Sequence, residues 1–183
     1  MIDLLAIQKQ FILSHLKEGD IAVDFTMGNG HDTEFLSRTV GETGHVYAFD
    51  VQEMALESTA RRLEESACPK NYTLILDSHH NVRKYVDTPI KAGMFNLGYL
   101  PGSDKTVTTM RETTLPAVKE AISLLDHDAV LLVAVYPGHA EGSAEGHLLC
   151  EYLATLDRRK ICVTQIKILN SPTSPYFMVI ETK

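Results

Sequence analysis

Residues 161–181 read ICVTQIKILNSPTSPYFMVIE, and this stretch decides the architecture. It holds two runs of strand character, Ile161 to Ile168 and Tyr176 to Glu181, with a short linker around Asn170-Ser171-Pro172 between them. A parallel return needs a crossover of a dozen or more residues, usually a helix, and this gap cannot hold one. The two strands must therefore pair antiparallel, as a hairpin closing one end of the sheet that precedes them.

Upstream of the hairpin, strand and helix patterns alternate. Leu4, Ile7 and Phe11, widened by Leu5, Ile12 and Leu16, set out an amphipathic helix over 2–18 that stops at Gly19. A strand from Ile21 to Phe25 runs into a Gly-rich loop, Asp32 or Thr33 caps a helix through Val40, and Gly41 and Gly44 turn the chain into a strand from His45 to Phe49. The alternation continues with a helix Gln52 to Ser66, a strand Tyr72 to Leu76, a short helix Asn81 to Val86 and a strand Gly93 to Leu97. Beyond a Gly- and Pro-containing loop come a helix near Thr114 to Leu125, a strand Ala129 to Val135 and a helix near Glu145 to Leu156. The unbroken apolar run Val130-Leu131-Leu132-Val133-Ala134-Val135 is that of a strand covered by helices on both faces. The expected fold is α/β and Rossmann-like: a seven-stranded, mostly parallel sheet with a C-terminal antiparallel hairpin and helices on both faces. Such a sheet resembles the class I methyltransferase fold, whereas a nicotinamide-binding Rossmann domain normally ends on parallel strands.

With 183 residues, 44% hydrophobic and 22% charged, the chain has room for one core, so residues 1–183 are read as a single domain. No apolar stretch approaches the roughly 20 residues that cross a bilayer, and Met1-Ile2-Asp3 lacks the basic start of a signal peptide, so a cytoplasmic location is expected. Cys68, Cys150 and Cys162 are odd in number and show no CxxC, which supports neither disulfides nor a thiolate zinc site. The formal charge of −7 provides no general field for nucleic acid, so any RNA contact must be local. Arg83-Lys84, Lys105 with Arg111, and Arg158-Arg159-Lys160 are the basic patches. No metal site is expected, since His79-His80 are adjacent and His139 and His147 are eight apart, neither pair having helical ligand spacing.

In an open α/β sheet the ligand lies beyond the carboxyl ends of the strands, where strand order reverses. Here the first strand delivers Thr26-Met27-Gly28-Asn29-Gly30-His31-Asp32, glycines that allow a close backbone approach and polar groups that suit a cofactor's amino and carboxylate ends. A pyrophosphate loop of the form GxGxxG would want a third small residue at Thr33, so a dinucleotide fits less well. The second strand ends in Asp50, suited to both hydroxyls of a ribose or to capping the next helix, with Gln52 beside it for sugar or base. After the third strand, Asp77-Ser78-His79 occupies the place of an adenine, with Asp77 or Ser78 toward its exocyclic amine.

The strings VDFTMGNGHDT at 23–33, FNLGYLPGSDK at 95–105 and YPGHAEG at 136–142 resemble a family of small bacterial proteins grouped as rRNA methylases. The likeness covers essentially the whole chain and is nearest to the branch that methylates 5-aminomethyl-2-thiouridine at the tRNA wobble position. It implies S-adenosyl-L-methionine as cofactor, a tRNA anticodon stem-loop as substrate, transfer to the aminomethyl nitrogen, and a homodimer.

Phe95-Asn96-Leu97-Gly98-Tyr99 is similar to the Asn-Pro-Pro-Tyr motif of amino-methylating enzymes, in which the Asn carbonyl accepts from the target amine; Leu97 and Gly98 stand in place of the prolines. That likeness makes Asn96 and Tyr99 candidate catalytic residues, with Tyr99 stacking on the base and Asn96 also beside the cofactor. His79, His139 and Asp104 are candidate acceptors for the amine proton, and Pro101-Gly102 with Gly138 and Gly142 suit a substrate lid. Other readings are an rRNA base or small amine as acceptor, a nucleotide-dependent oxidoreductase, or a noncatalytic RNA-binding protein on the same fold.

Overall fold

The apolar run ending at Val135 lies inside a seven-stranded sheet. A computed structural model of the chain describes residues 3–98, 108–138 and 140–183. Its elements are α1 (Leu4–His15), β1 (Ile21–Asp24), α2 (His31–Val40), β2 (His45–Asp50), α3 (Glu53–Glu65), β3 (Tyr72–Leu76), a 3₁₀ helix (His79–Lys84), β4 (Ile90–Asn96), α4 (Arg111–Leu124), β5 (Leu125–Val135), α5 (Ala140–Leu153), β6 (Ile161–Ile166) and β7 (Tyr176–Thr182). The sheet order is β3-β2-β1-β4-β5-β7-β6. Strands β1 to β5 pair in parallel, while β7 runs antiparallel to both β5 and β6. This is the class I methyltransferase arrangement that residues 161–181 imply.

Alternation along each strand feeds two cores, one per sheet face. Val130, Leu132 and Ala134 of β5, with Phe177 and Val179 of β7, pack with Ile12 of α1 and with Leu36 and Val40 of α2. Leu131, Val133 and Val135, with Met178 and Ile180, face Ala117, Val118 and Ala121 of α4 and Leu149 and Leu153 of α5. All of these side chains are buried, and each large aliphatic or aromatic one contributes about 1.5–3 kcal/mol on leaving water.

Several boundaries differ from the sequence reading. Helix α1 starts at Leu4 because the Asp3 carboxylate accepts from the backbone N–H groups of Leu5 and Ala6. Helix α2 is capped by neither Asp32 nor Thr33: its N-cap is Gly30, in the left-handed conformation at φ +78°, and Thr33 bonds to Asp24 instead. β5 begins at Leu125, pairing with Ile90 before a register shift that the polar residues 126–128 conceal. Helix α5 starts at Ala140 rather than near Glu145 and stops at Leu153; Gly142 and Gly146, poor helix formers, hide its first turns in sequence. The short helix after β3 is a 3₁₀ turn starting two residues earlier than the pattern suggests.

Candidate active site

Strand order reverses at β1, which lies between β2 and β4, and the loops leaving that point open a cleft. Phe25, Thr26 and Gly28 line it from β1, Asp50, Val51 and Gln52 from β2, Asp77, Ser78 and His79 from β3, and Asn96 and Gly98 from β4. Stacked below, Phe25 and Phe95 lie 4.1 Å apart and nearly parallel, a rigid apolar floor.

The glycine loop is held by the chain's own hydrogen bonds. Met27 is buried and its N–H donates to the Phe49 carbonyl (2.8 Å), while the Gly28 N–H donates to Asp50 Oδ2 (3.1 Å). Gly30 is required where it stands: besides its positive φ, a Cβ there would lie 2.9 Å from the Thr59 Cα. Arg62 of α3 donates to the Asn29 carbonyl and to His31 Nε2, and Ser58 donates to Asn29 Oδ1. Met27, Asn29, Gly30 and His31 thus face α3 or the core rather than the cleft lining, where the sequence reading had put them beside the cofactor. Only Thr26 and Gly28 of that loop reach the cleft wall.

Asp24 and Asp32 sit behind that wall. Asp24 is fully buried, accepts from the Thr33 hydroxyl (2.6 Å) and the Thr26 N–H (3.1 Å), and is pushed up to about 7 by burial, reinforced by the neighbouring Asp32. Burial also raises the Asp32 carboxyl. Asp32 does not line the cleft; it accepts from Asn96 Nδ2 at 2.5 Å, while the Asn96 N–H donates to Thr26 Oγ1 at 2.7 Å. Both Asn96 nitrogens are therefore engaged. Its side-chain oxygen, buried at the cleft, has no hydrogen-bond partner among the described residues.

His79 has a similar asymmetry. Its Nδ1 lies 3.1 Å from the Phe25 carbonyl, which can only accept, so Nδ1 carries the proton and Nε2 holds a lone pair. Nε2 is buried and unpartnered among the described residues, and burial pushes the imidazole down to about 4. Held neutral so firmly, His79 is an acceptor of hydrogen bonds and too weak a base to take an ammonium proton, which removes it from the expected proton acceptors. Asp77 lines the cleft with its carboxylate engaged by the 3₁₀ helix and the residue that follows it: it accepts from Asn81, the Ser78 N–H and the Tyr85 hydroxyl, the Asn81 bond doing most to hold its carboxyl low. Asp50 accepts from the Gln52 N–H as well as from Gly28, yet burial still raises it.

The far wall was not singled out from sequence. Thr108, Thr109 and Thr113 line it. Thr109 Oγ1 accepts from the Gly98 N–H and donates to Glu145 Oε2, each at 2.9 Å, and Glu145 Oε1 accepts from Thr114 at 2.6 Å. The signals present were the threonine-dense run 108–114 and a carboxylate on the buried stripe Gly142-Glu145-Gly146-Leu149-Leu153. Tyr99, Asp104 and His139 lie outside the described residues, as do Pro101-Gly102 and Lys105. Among the described residues no group of three or more His, Cys, Asp or Glu is placed to hold a metal ion, and no helix is long and apolar enough to cross a membrane.

The family described as "Putative rRNA methylase" matches residues 46–181. The chain belongs to that family. A Clostridium thermocellum protein carrying the same rRNA methylase description is 38% identical, with a TM-score of 0.96 over 100% of this chain and 99% of that one. A Streptococcus mutans "putative methyltransferase", solved in complex with SAH, is 37% identical, with a TM-score of 0.90 over 100% and 99% of the two chains. In Arabidopsis thaliana, "tRNA (mnm(5)s(2)U34)-methyltransferase, chloroplastic" is 33% identical over 173 residues, 87% of this chain. The chain spans 62% of the length of that curated relative.

Proposed function

We propose that this chain transfers a methyl group from S-adenosylmethionine to the aminomethyl nitrogen of 5-aminomethyl-2-thiouridine at the tRNA wobble position, giving the 5-methylaminomethyl nucleoside. The coarser part, a methyltransferase with S-adenosylmethionine as its cofactor, rests on the family, the fold and the Streptococcus mutans relative with SAH, the spent form of that cofactor. The acceptor draws support from the Arabidopsis relative's name. The observation that carries it is the orphaned Asn96 Oδ1, a buried acceptor at the cleft.

The cleft fits the cofactor. Gly28 allows a close approach, Asp50 and Gln52 stand where a ribose binds beside β2, and Ser78 with His79 Nε2 present polar atoms where the adenine lies in this fold. Bound there, the cofactor supplies a methyl carbon already activated by sulfonium, so alignment of the nucleophile matters more than a strong base. The aminomethyl group, an ammonium in water at neutral pH, first gives one proton to solvent; Asn96 Oδ1 then accepts an N–H of the free amine and turns the nitrogen lone pair toward that carbon. As the N–C bond forms, the C–S bond breaks with its electron pair passing to sulfur, and the product ammonium releases its proton to water. Tyr99 and His139 are the further catalytic candidates from sequence, for stacking on the base and for taking the amine proton.

The test is methyl transfer in vitro to an anticodon stem-loop carrying 5-aminomethyl-2-thiouridine, beside one with unmodified uridine and an rRNA fragment, read by nucleoside mass spectrometry. A gain of one methyl on the aminomethyl nucleoside alone is the expected result; methylation of the rRNA fragment instead overturns the acceptor. On the family likeness we also propose a cytoplasmic homodimer that binds the anticodon stem-loop, and a sedimentation mass of one chain would refute the dimer.

A further inference from the structure

An Asn side chain has two ends of nearly equal shape, and only its hydrogen bonds decide which faces a ligand. At position 96 that choice sets the chemistry, because an oxygen toward the cleft accepts from an amine whereas an NH₂ would oppose it. Asn96 lines the cleft, and an ionised carboxylate can only accept, so the 2.5 Å contact with Asp32 Oδ2 obliges Nδ2 to face Asp32 and leaves Oδ1, buried and without a partner among the described residues, for an incoming donor. The Asn96 N–H, anchored on Thr26, stops the residue from shifting as a whole. We propose that Asp32 is the positioning residue for methyl transfer, locking the Asn96 amide so that its oxygen meets the acceptor nitrogen. This rests on the amine-acceptor reading above, and the loop residue read from sequence as a cofactor contact acts through Asn96 instead.

The charges around Asp32 define its pH behaviour. Lys9 from α1 and His31 from its own helix favour the carboxylate, Asp24 of β1 opposes it, and Tyr136 after β5 lies within its field. Burial outweighs the favourable contacts and raises the carboxyl above its ordinary range. Once protonated, Asp32 offers an O–H, the Asn96 amide can turn its oxygen inward, and the cleft then receives a donor facing a donor. Activity therefore falls on the acid side as Asp32 takes up its proton.

The decisive experiment compares Asp32→Ala and Asp32→Asn with the unaltered protein at saturating S-adenosylmethionine and aminomethyl stem-loop. Asp32→Ala is expected to lower kcat on the order of 100-fold, the scale of a misaligned nucleophile, with the calorimetric Kd for S-adenosylmethionine little changed. Asp32→Asn, whose amide oxygen still accepts from Nδ2, should recover part of the rate. An unchanged kcat in Asp32→Ala, a Kd that rises in step with the rate loss, or no recovery in Asp32→Asn would each overturn the proposal. A readout without turnover separates this from the choice of acceptor: the ¹⁵N signal of the Asn96 side-chain amide, assigned by its loss in Asn96→Ala. It should move with acid pH in the unaltered protein and stay fixed in Asp32→Asn; identical titrations in both refute the lock. Inactivity of the unaltered protein on the stem-loop, with that titration intact, refutes the acceptor alone.

Discussion

The ends of β1 and β2 and the ends of β3 and β4 form one cleft but are finished in opposite ways. On the first side, Asp24 and Asp50 spend their oxygens on the Thr26, Thr33, Gly28 and Gln52 donors of their own chain. On the second, His79 Nε2 and Asn96 Oδ1 are buried acceptors with no partner among the described residues. Leaving a buried acceptor unmet costs about 1–3 kcal/mol, and the fold tolerates this on one side only. The satisfied side is a scaffold that keeps the glycine loop in shape before anything binds; the unsatisfied side is completed by whatever enters the cleft.

Acid titration should expose this contrast most strongly, since each side holds a group displaced in the opposite sense. His79 falls to about 4 from an ordinary 6.5, so between those values the unfolded chain binds the extra proton and stability drops as pH falls, by roughly 3 kcal/mol in all. Asp24 rises to about 7 from 3.8, so the native state binds the extra proton and stability drops as pH rises through that window. The two oppose each other in the wild type. Replacing Asp24 by Asn removes one of them, and urea unfolding should show the variant losing roughly 3 kcal/mol more than wild type between pH 7 and 4. Parallel curves would mean that the two sides do not differ in protonation.

A smaller effect, mainly on rate, is expected at the unsatisfied side. Asn96→Ala should lower single-turnover methyl transfer on the order of 100-fold while leaving S-adenosylmethionine affinity nearly intact and urea stability lowered by no more than about 2 kcal/mol, for the donor that Asp32 loses. A large loss of stability instead would show that Asn96 belongs to the scaffold, and the contrast would fail. Smallest is the effect of Asp50→Ala, which removes both a charged acceptor and the anchor of the Gly28 N–H. Calorimetry should show S-adenosylmethionine binding weakened by about 2 kcal/mol, with kcat at saturation largely kept. If kcat falls and affinity holds, Asp50 acts on the acceptor side.

The sheet and the position of the cleft could be read from sequence, because local patterns carry them. The linker at 170–172 forced the hairpin, and the acidic or polar residues just beyond each apolar run marked the rim. What stayed hidden depends on contacts between distant segments. Asp32 and Asn96 are separated by two strands and two helices in the chain, and nothing near either says that one turns toward the other. Glu145 sits between two glycines that made its helix look as if it began there, and its pairing with Thr109 and Thr114 exists only once α4 and α5 lie side by side. The glycine loop misled in the other direction: Asn29 and His31 look like ligands in sequence because the bonds from Ser58 and Arg62 arrive from the next helix.

The position of β7 also constrains the order in which the molecule can assemble. It follows β6 in the chain yet lies between β5 and β6 in the sheet. Strands β1 to β5 can therefore zip together while residues beyond 160 are still free, but β6 has nothing to dock on until β7 exists. Either the hairpin closes first and arrives as a preformed unit or β7 docks on β5 and β6 follows, and in both cases the closing contacts, such as Val130 with Glu181, span about fifty residues of chain. Such long loops make docking the slow step. Until then the apolar edge of β5 stands open to other chains, which makes the half-assembled sheet the species most prone to aggregate. Pulse-labelling hydrogen exchange during refolding should accordingly find β1 and β4 protected before β6.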